Sequence, residues 1–307
     1  MDETRRGYLY GLAAYGIWGL FPIYWKLLKP SGAVEILANR ILWSAVCCVL
    51  LLAVLRQWRW IGAVVRSPRT VAKLVAAAVL VAGNWGTYIY GVNSGHVVET
   101  SLGYFINPLV SILLGVVVLR ERLRRPQWIA IAVGVAAVAV ITIDYGRLPW
   151  IALTLACTFG CYGLTKKTLG LPAARGLFAE SAVLALPAAG YLAYLAFTGT
   201  GTLGTVSAGH TLLLVGAGVV TAIPLLCFAS AANRLPLSAI GVLQYVAPIL
   251  QLGCGLLLFH EPMPPAELIG FALVWVALAI FTADLVRQAR RNARLLAARP
   301  IPDAAKV

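Results

Sequence analysis

Charge is the first shortage in this chain. Only 12% of its residues are Asp, Glu, Lys or Arg, about half the quarter that an ordinary soluble domain carries. A domain folded in water needs a charged surface that this sequence does not supply. The one or two soluble domains that 307 residues would otherwise allow are therefore excluded. Acids are scarcest, 11 against 25 basic residues, and none falls between Glu180 and Glu261. That gap removes the one formal nucleotide motif, Gly199-Thr200-Gly201-Thr202-Leu203-Gly204. The dinucleotide fingerprint needs a preceding strand, a following helix and an acid about 20 residues on. Metal chemistry is equally unsupported. Cys47, Cys48, Cys157, Cys161, Cys227 and Cys254 form no CxxC pair and all sit in apolar runs, where cysteine packs as a small hydrophobe. His96, His210 and His260 have no carboxylate or thiol pattern around them. No metal and no cofactor is expected. A cleavable secretory signal is missing too: the first apolar run continues into Trp, Tyr and Lys and reads as a membrane span.

What the chain does have is apolar length: 61% of it is hydrophobic. A membrane span needs roughly 20 apolar residues, because the hydrocarbon core is about 30 Å thick and a helix rises about 1.5 Å per residue. Ten intervals qualify: 7–27, 33–55, 71–91, 97–119, 127–144, 149–166, 176–197, 209–231, 237–259 and 266–286. The net charge of +14 sits in short clusters between these runs and forms no basic stripe. It is expected to set membrane orientation, not to bind nucleic acid. With the N-terminus in the cytoplasm, all 25 basic residues except Lys26, Lys29, Arg40 and Arg147 fall inside. An even number of spans then returns the C-terminus to the same side. The stretches outside the membrane, 56–70 and the basic tail 287–307, are too short to bury a core of their own. No enzyme is expected.

The two halves resemble each other. At an offset of 140 positions, Asn93 matches Asn233, Pro108 matches Pro248, Gly115 matches Gly255, Glu121 matches Glu261 and Asp144 matches Asp284. Tyr15-Gly16-Ile17-Trp18-Gly19-Leu20 resembles Phe159-Gly160-Cys161-Tyr162-Gly163-Leu164. Residues 7–144 and 149–286 are thus read as two repeats of five spans. The odd count inverts the second relative to the first. Inverted repeats allow alternating access around a site near the midplane.

Polar groups inside the spans supply the candidate site. Arg40 lies in the second span, where an arginine costs roughly 2.5–3.5 kcal/mol to insert. Such residues face the bundle interior or a wet cavity. Two readings stand: a substrate-facing or gating charge, or an ion pair bracing the halves, with Glu35 and Asn39 nearby. Glu180 is either a proton-coupling group or a partner of Arg175. Glu121 and Glu261 begin short turns, where acids stabilise the N-terminus of the next helix. Aromatic and amide side chains recur within spans, among them Tyr24, Trp25, Trp85 and Gln251. Aromatic walls with a few placed polar groups characterise an organic-molecule pocket. The candidate substrate contacts are Trp18, Asn84, Tyr88, Tyr104, Asn107, Tyr162, Gln244 and Tyr245, and interhelical bridging is the alternative role for each. Pro22, Pro108, Pro187, Pro224 and Pro248 interrupt spans, as helices near such sites and membrane helices generally permit.

Several stretches also match a known pattern. They are Ala14-Tyr15-Gly16-Ile17-Trp18-Gly19, Glu35-Ile36-Leu37-Ala38-Asn39-Arg40-Ile41-Leu42-Trp43-Ser44, Gly83-Asn84-Trp85 and Ser101-Leu102-Gly103-Tyr104-Phe105-Ile106-Asn107-Pro108-Leu109-Val110, with Ile223-Pro224-Leu225-Leu226-Cys227-Phe228 and Trp275-Val276-Ala277-Leu278-Ala279-Ile280-Phe281 in the second half. From Gly7 to Asp284 the chain resembles the drug/metabolite transporter superfamily with its two EamA repeats, and within it the RarD subgroup. The resemblance implies a ten-helix permease of the bacterial cytoplasmic membrane, with a pathway lined chiefly by spans 1, 3, 4, 6, 8 and 9. It also implies that Arg40 and Glu121 match recurrent family residues. Asn39 departs from the subgroup, which usually carries His before that arginine; any proton route through such a His needs another path here.

The expected function is secondary transport of small organic metabolites or drugs, as an exporter, with protons as a possible coupling ion. The competing expectation is a lipid or lipid-linked sugar flippase.

Overall fold

In hydrocarbon an unpaired backbone N–H or C=O costs several kcal/mol, so crossing segments fold as helices. The computed structural model describes residues 3–297 except 57, 121, 122, 170, 172 and 236, and among these every regular element is helical. Glu121 and the end of the basic tail, with Arg299 and Lys306, lie outside the described residues.

The first half contains α1 (Glu3–Gly19), α2 (Phe21–Leu27), α3 (Ala33–Leu55), α4 (Arg59–Val65), α5 (Pro68–Asn93), α6 (Val97–Leu119) and α7 (Arg125–Tyr145). The second contains α8 (Trp150–Leu169), α9 (Ala173–Thr198), α10 (Ala208–Ala232), α11 (Leu237–Leu243), α12 (Val246–Gly253), a π-helical turn (Cys254–Leu258) and α13 (Pro265–Ala297). Seven of the described helices, α3, α5, α6, α7, α9, α10 and α13, are long and apolar enough to cross a membrane. The intervals 7–27, 149–166 and 237–259 are also helical, the first and last of them as broken helices. The loop at 56–70 holds the short α4, and Trp58 and Trp60 near it each meet the Phe178 ring edge-on, at 6.0 and 5.9 Å.

Proline chemistry explains the first break. Pro22 has no N–H to give the carbonyl four residues back, that of Trp18. Gln251 on α12 fills the vacancy, donating from Nε2 to Trp18 O at 3.2 Å. The second break, at Gln244 and Tyr245, lies four and three residues before Pro248. Other helix starts follow ordinary capping: Ser67 accepts from Thr70 N–H with Pro68 at the first turn, and Ser207 accepts from His210 N–H. The acid expected to serve the next helix serves a distant one. Glu261 Oε2 accepts Val98 N–H at the start of α6, at 2.9 Å, and not a group on α13. Glu99 does likewise for α8, taking Ile151 N–H at 3.1 Å while Arg147 binds its other oxygen at 3.1 Å. Both place negative charge at the positive end of a helix dipole.

The broadest interfaces all join a helix of the first half to one of the second. α1 packs on α10 and α12, α3 on α9 and α10, α5 on α8 and α9, α6 on α8 and α12, and α7 on α13. Apolar lipid gives helices no solvent-driven reason to associate, so close backbone approach at small residues matters most. At Gly218 of α10 an added methyl would overlap the backbone carbonyl of Trp43 on α3. At Gly103 of α6 it would come to 2.8 Å of Ala152 O on α8. At the helix ends, Arg234 after α10 donates to Glu3 at 2.8 Å; that hydrogen bond holds the Glu3 carboxyl below its ordinary range.

Gly218→Ala is expected to lower the thermal midpoint of detergent-purified protein by the equivalent of about 1–3 kcal/mol, the usual cost of overpacking. Gly16→Ala, where an added methyl meets nothing within 4 Å, should leave it unchanged. Equal midpoints for the two variants would sink the close-approach account of the α3–α10 seam.

Candidate functional site

Arg40 lies two turns into α3 and is only 3% exposed. Its Nε donates to Thr221 Oγ1 on α10 at 3.0 Å. Thr221 is able to accept because its own proton goes to Ala217 O at 2.8 Å. Three rings enclose the guanidinium: Trp85 at 3.8 Å from the carbon to the ring centroid, Trp25 at 5.0 Å and Phe21 at 5.5 Å. Arginine stacks on aromatic faces readily because its guanidinium is planar and weakly hydrated. Tyr88 and Tyr104 are within electrostatic range of it.

Of the two readings of Arg40, the ion pair bracing the halves is not formed among the described residues; its partner on α10 is a threonine hydroxyl. Glu35 lies five residues from Arg40, about 140° around the helix, and so points elsewhere. Its Oε1 accepts Thr202 N–H at 2.7 Å. There it borders a buried knot in which Ser31 Oγ meets both Thr202 Oγ1 and His210 Nε2, the latter at 2.8 Å. Glu35 thus fastens the 199–207 loop onto the start of α3. Asn39 donates to Glu35 O at 3.0 Å.

The same spacing separates Glu180 from Arg175, with the same result. Glu180 is 2% exposed and pairs with Lys166 of α8 at 2.7 Å, while Tyr162 OH donates to its other oxygen at 3.0 Å. Arg175 faces the Trp60 ring instead, at 6.0 Å.

Between these two charged groups runs a row of rings from α5, α6 and α8. Tyr88 meets Tyr104 at 5.6 Å, Tyr104 meets Phe159 at 6.3 Å, and Phe159 meets Tyr162 at 5.9 Å. Asn84 straps the row: its Nδ2 donates to Leu155 O at 3.0 Å and Thr158 Oγ1 at 3.1 Å, and Tyr104 OH reaches its Oδ1 at 3.4 Å. Asn84 thereby does the interhelical bridging that was the alternative role for it. Asn107, one turn below Tyr104, keeps Oδ1 without a hydrogen-bond partner among the described residues, near Gly160 of α8. Trp18 stands across the bundle against Tyr15 and Phe228, at 5.4 and 5.8 Å.

Five of the eight candidate contacts, Asn84, Tyr88, Tyr104, Asn107 and Tyr162, are thus on α5, α6 and α8 along one row. Gln244 and Tyr245 are elsewhere: Tyr245 faces Thr282 of α13 as well as Gln244, in an apolar cleft of about 550 Å³ with Phe105, Ile249 and Trp275. Sequence reasoning missed Thr221 and Lys166 as neighbours of the charges and Phe159 as a member of the ring row. Lys166 carried a signal, a lysine at the end of an apolar run one hairpin before a buried acid.

A family model described as EamA-like transporter family matches residues 5–143. The chain is 55% identical to Protein RarD of Streptomyces exfoliatus over 97% of this chain and 95% of that one. It is 44% identical to the uncharacterized transporter YojE of Bacillus subtilis, covering 94% and 98%, and 42% identical to Protein RarD of Escherichia coli, covering 95% and 99%. A solved crystal structure superposes with a TM-score of 0.56 at 19% identity, over 92% of this chain and 98% of that chain; at that identity the likeness speaks for the fold alone.

Lys166→Met leaves the Glu180 carboxylate buried without its cation. A loss on the order of 3 kcal/mol is expected, read as a lower thermal midpoint, with most of it recovered in Lys166→Met/Glu180→Leu. A double variant no more stable than the single one would contradict the pairing.

Proposed function

The chain belongs to the EamA-like transporter family, in its RarD branch, and from that premise we propose a secondary transporter of small organic metabolites or drugs. It is a multi-pass membrane protein and a membrane transporter. The finer reading is an exporter of the bacterial cytoplasmic membrane, with both termini inside, working by alternating access of the inverted repeats 7–144 and 149–286.

The helix packing supports the two-repeat part of this reading. Exchange α1 with α8, α3 with α9, α5 with α10, α6 with α12 and α7 with α13. The α1–α10 interface then becomes α8–α5, α1–α12 becomes α8–α6, and α3–α10 becomes α9–α5, all of which occur. The α3–α9, α6–α12 and α7–α13 interfaces map onto themselves, as interfaces across a two-fold should. Such an arrangement is what two inverted five-helix units would produce. Alternating access would come from rocking of residues 7–144 against 149–286 across these interfaces. Arg40, bonded to Thr221 of α10, and the ring row, which runs from α5 and α6 to α8, both lie where the two halves meet. Arg234 bonds Glu3, and Lys73 bonds the α8 carbonyl of Thr168, so each pair shares one side of the membrane; the clustering of basic residues is what argues that this side is the cytoplasm.

A lipid-translocating reading has one observation in its favour, the apolar cleft at Tyr245 and Trp275. Scrambling of labelled lipid in vesicles, in place of solute flux, would select it.

Reconstituted into proteoliposomes, the protein is expected to move at least one class of small organic solute. Tyr104→Ala and Asn107→Ala should each lower that flux at least about tenfold, equivalent to about 1.4 kcal/mol, without changing the elution profile. Absence of flux across amino acids, organic acids, phosphate esters, nucleosides, polyamines, sugars and chloramphenicol would overturn the proposal.

A further inference from the structure

Resting on the transporter reading above, we propose that the ligand seated against Arg40 is an organic anion, a carboxylate or phosphate ester, with the guanidinium as its charge partner. Arg40 is 3% exposed, yet among the described residues no carboxylate reaches it. The carboxylate nearest in sequence, Glu35, is held away by Thr202 N–H at 2.7 Å. A buried cation without a counter-ion is among the costliest arrangements a membrane interior offers. Aromatic faces at 3.8 and 5.0 Å reduce that cost but supply no negative charge.

The groups left over around the guanidinium specify what is missing. Arg40 Nη1, Trp25 Nε1 and the Tyr88 hydroxyl are buried and lack hydrogen-bond partners among the described residues. Two of these only donate, and the hydroxyl is able to. Unused donors beside an uncompensated cation fit an oxyanion, since a carboxylate or phosphate accepts several hydrogen bonds and neutralises the charge together. A ligand ammonium would meet repulsion from Arg40, and a neutral ligand would leave the charge unbalanced. Thr221 fixes the guanidinium by accepting from Nε at 3.0 Å. Trp85 and Tyr104 are only partly buried.

Four probes of one shape separate the possibilities: benzoate, phenyl phosphate, benzyl alcohol and benzylamine. Binding to the purified full-length protein is read by quenching of tryptophan fluorescence and by the thermal midpoint. Benzoate and phenyl phosphate are expected to bind and the other two not. Arg40→Gln should weaken anion binding at least about tenfold, with Arg40→Lys intermediate. Thr221→Val, which keeps the charge but frees its orientation, should weaken it by a smaller factor; with Arg40→Lys it carries the test if Arg40→Gln fails to fold. Anion binding unchanged by these variants, equal binding of alcohol or amine, or no binding of either anion would overturn the inference. Flux distinguishes it from its premise. Neutral solute crossing proteoliposomes with no competition from benzoate refutes the anion site and keeps the transporter; benzoate binding with no flux of any solute does the reverse.

Discussion

Hydrocarbon offers a backbone nothing to bond to, and the rest of this fold follows from that constraint. Where a helix is continuous the chain satisfies itself. Where Pro22 breaks one, a side chain from another helix stands in. The Trp18 carbonyl released by Pro22 is taken by Gln251, from the other half of the chain. The same requirement governs the helix starts, where Glu99 and Glu261 reach across loops to cap α8 and α6. Each repair couples two helices, so the substitutions that loosen the backbone are also the contacts that register the bundle.

The charges obey a related rule. A lone charge in a membrane needs a partner, and the structure answers differently for each. Glu180 has Lys166 and a tyrosine hydroxyl, and Glu99 has Arg147 and an amide. Both sets are closed. Arg40 has a threonine and three rings, which shelter the charge without cancelling it. That asymmetry separates a structural pair from a group still available for chemistry.

The helices were legible because apolar length is a local property, and Arg40 stood out because arginine is rare at that depth. Of the five prolines expected to interrupt spans, Pro22 and Pro248 lie by helix breaks, whereas Pro108, Pro187 and Pro224 sit within the continuous α6, α9 and α10. Partners were not legible. Arg40 and Thr221 are 181 residues apart, Glu35 and Thr202 167, and Glu261 and Val98 163. Nothing in local spacing points to such pairs. Neighbours in sequence were actively misleading: Glu35 with Arg40, and Arg175 with Glu180, are five residues apart and so lie on different helix faces. Gln244 and Tyr245 looked like interior polar groups, but the helix break before Pro248 turns Tyr245 toward α13.

The interleaving of the halves has a consequence for biogenesis. A ribosome delivers α3 long before α9 and α10, the helices that cover it. At about 5–20 residues per second, Thr221 follows Arg40 by roughly 10–40 s. For that interval the nascent first half holds a cation in the bilayer without the hydroxyl that anchors it. Trp25 and Trp85 are both made within the first half, Trp25 before Arg40 and Trp85 soon after, so the aromatic shelter is assembled early. The rings around the guanidinium therefore serve the newborn chain as a chaperone built into its own sequence.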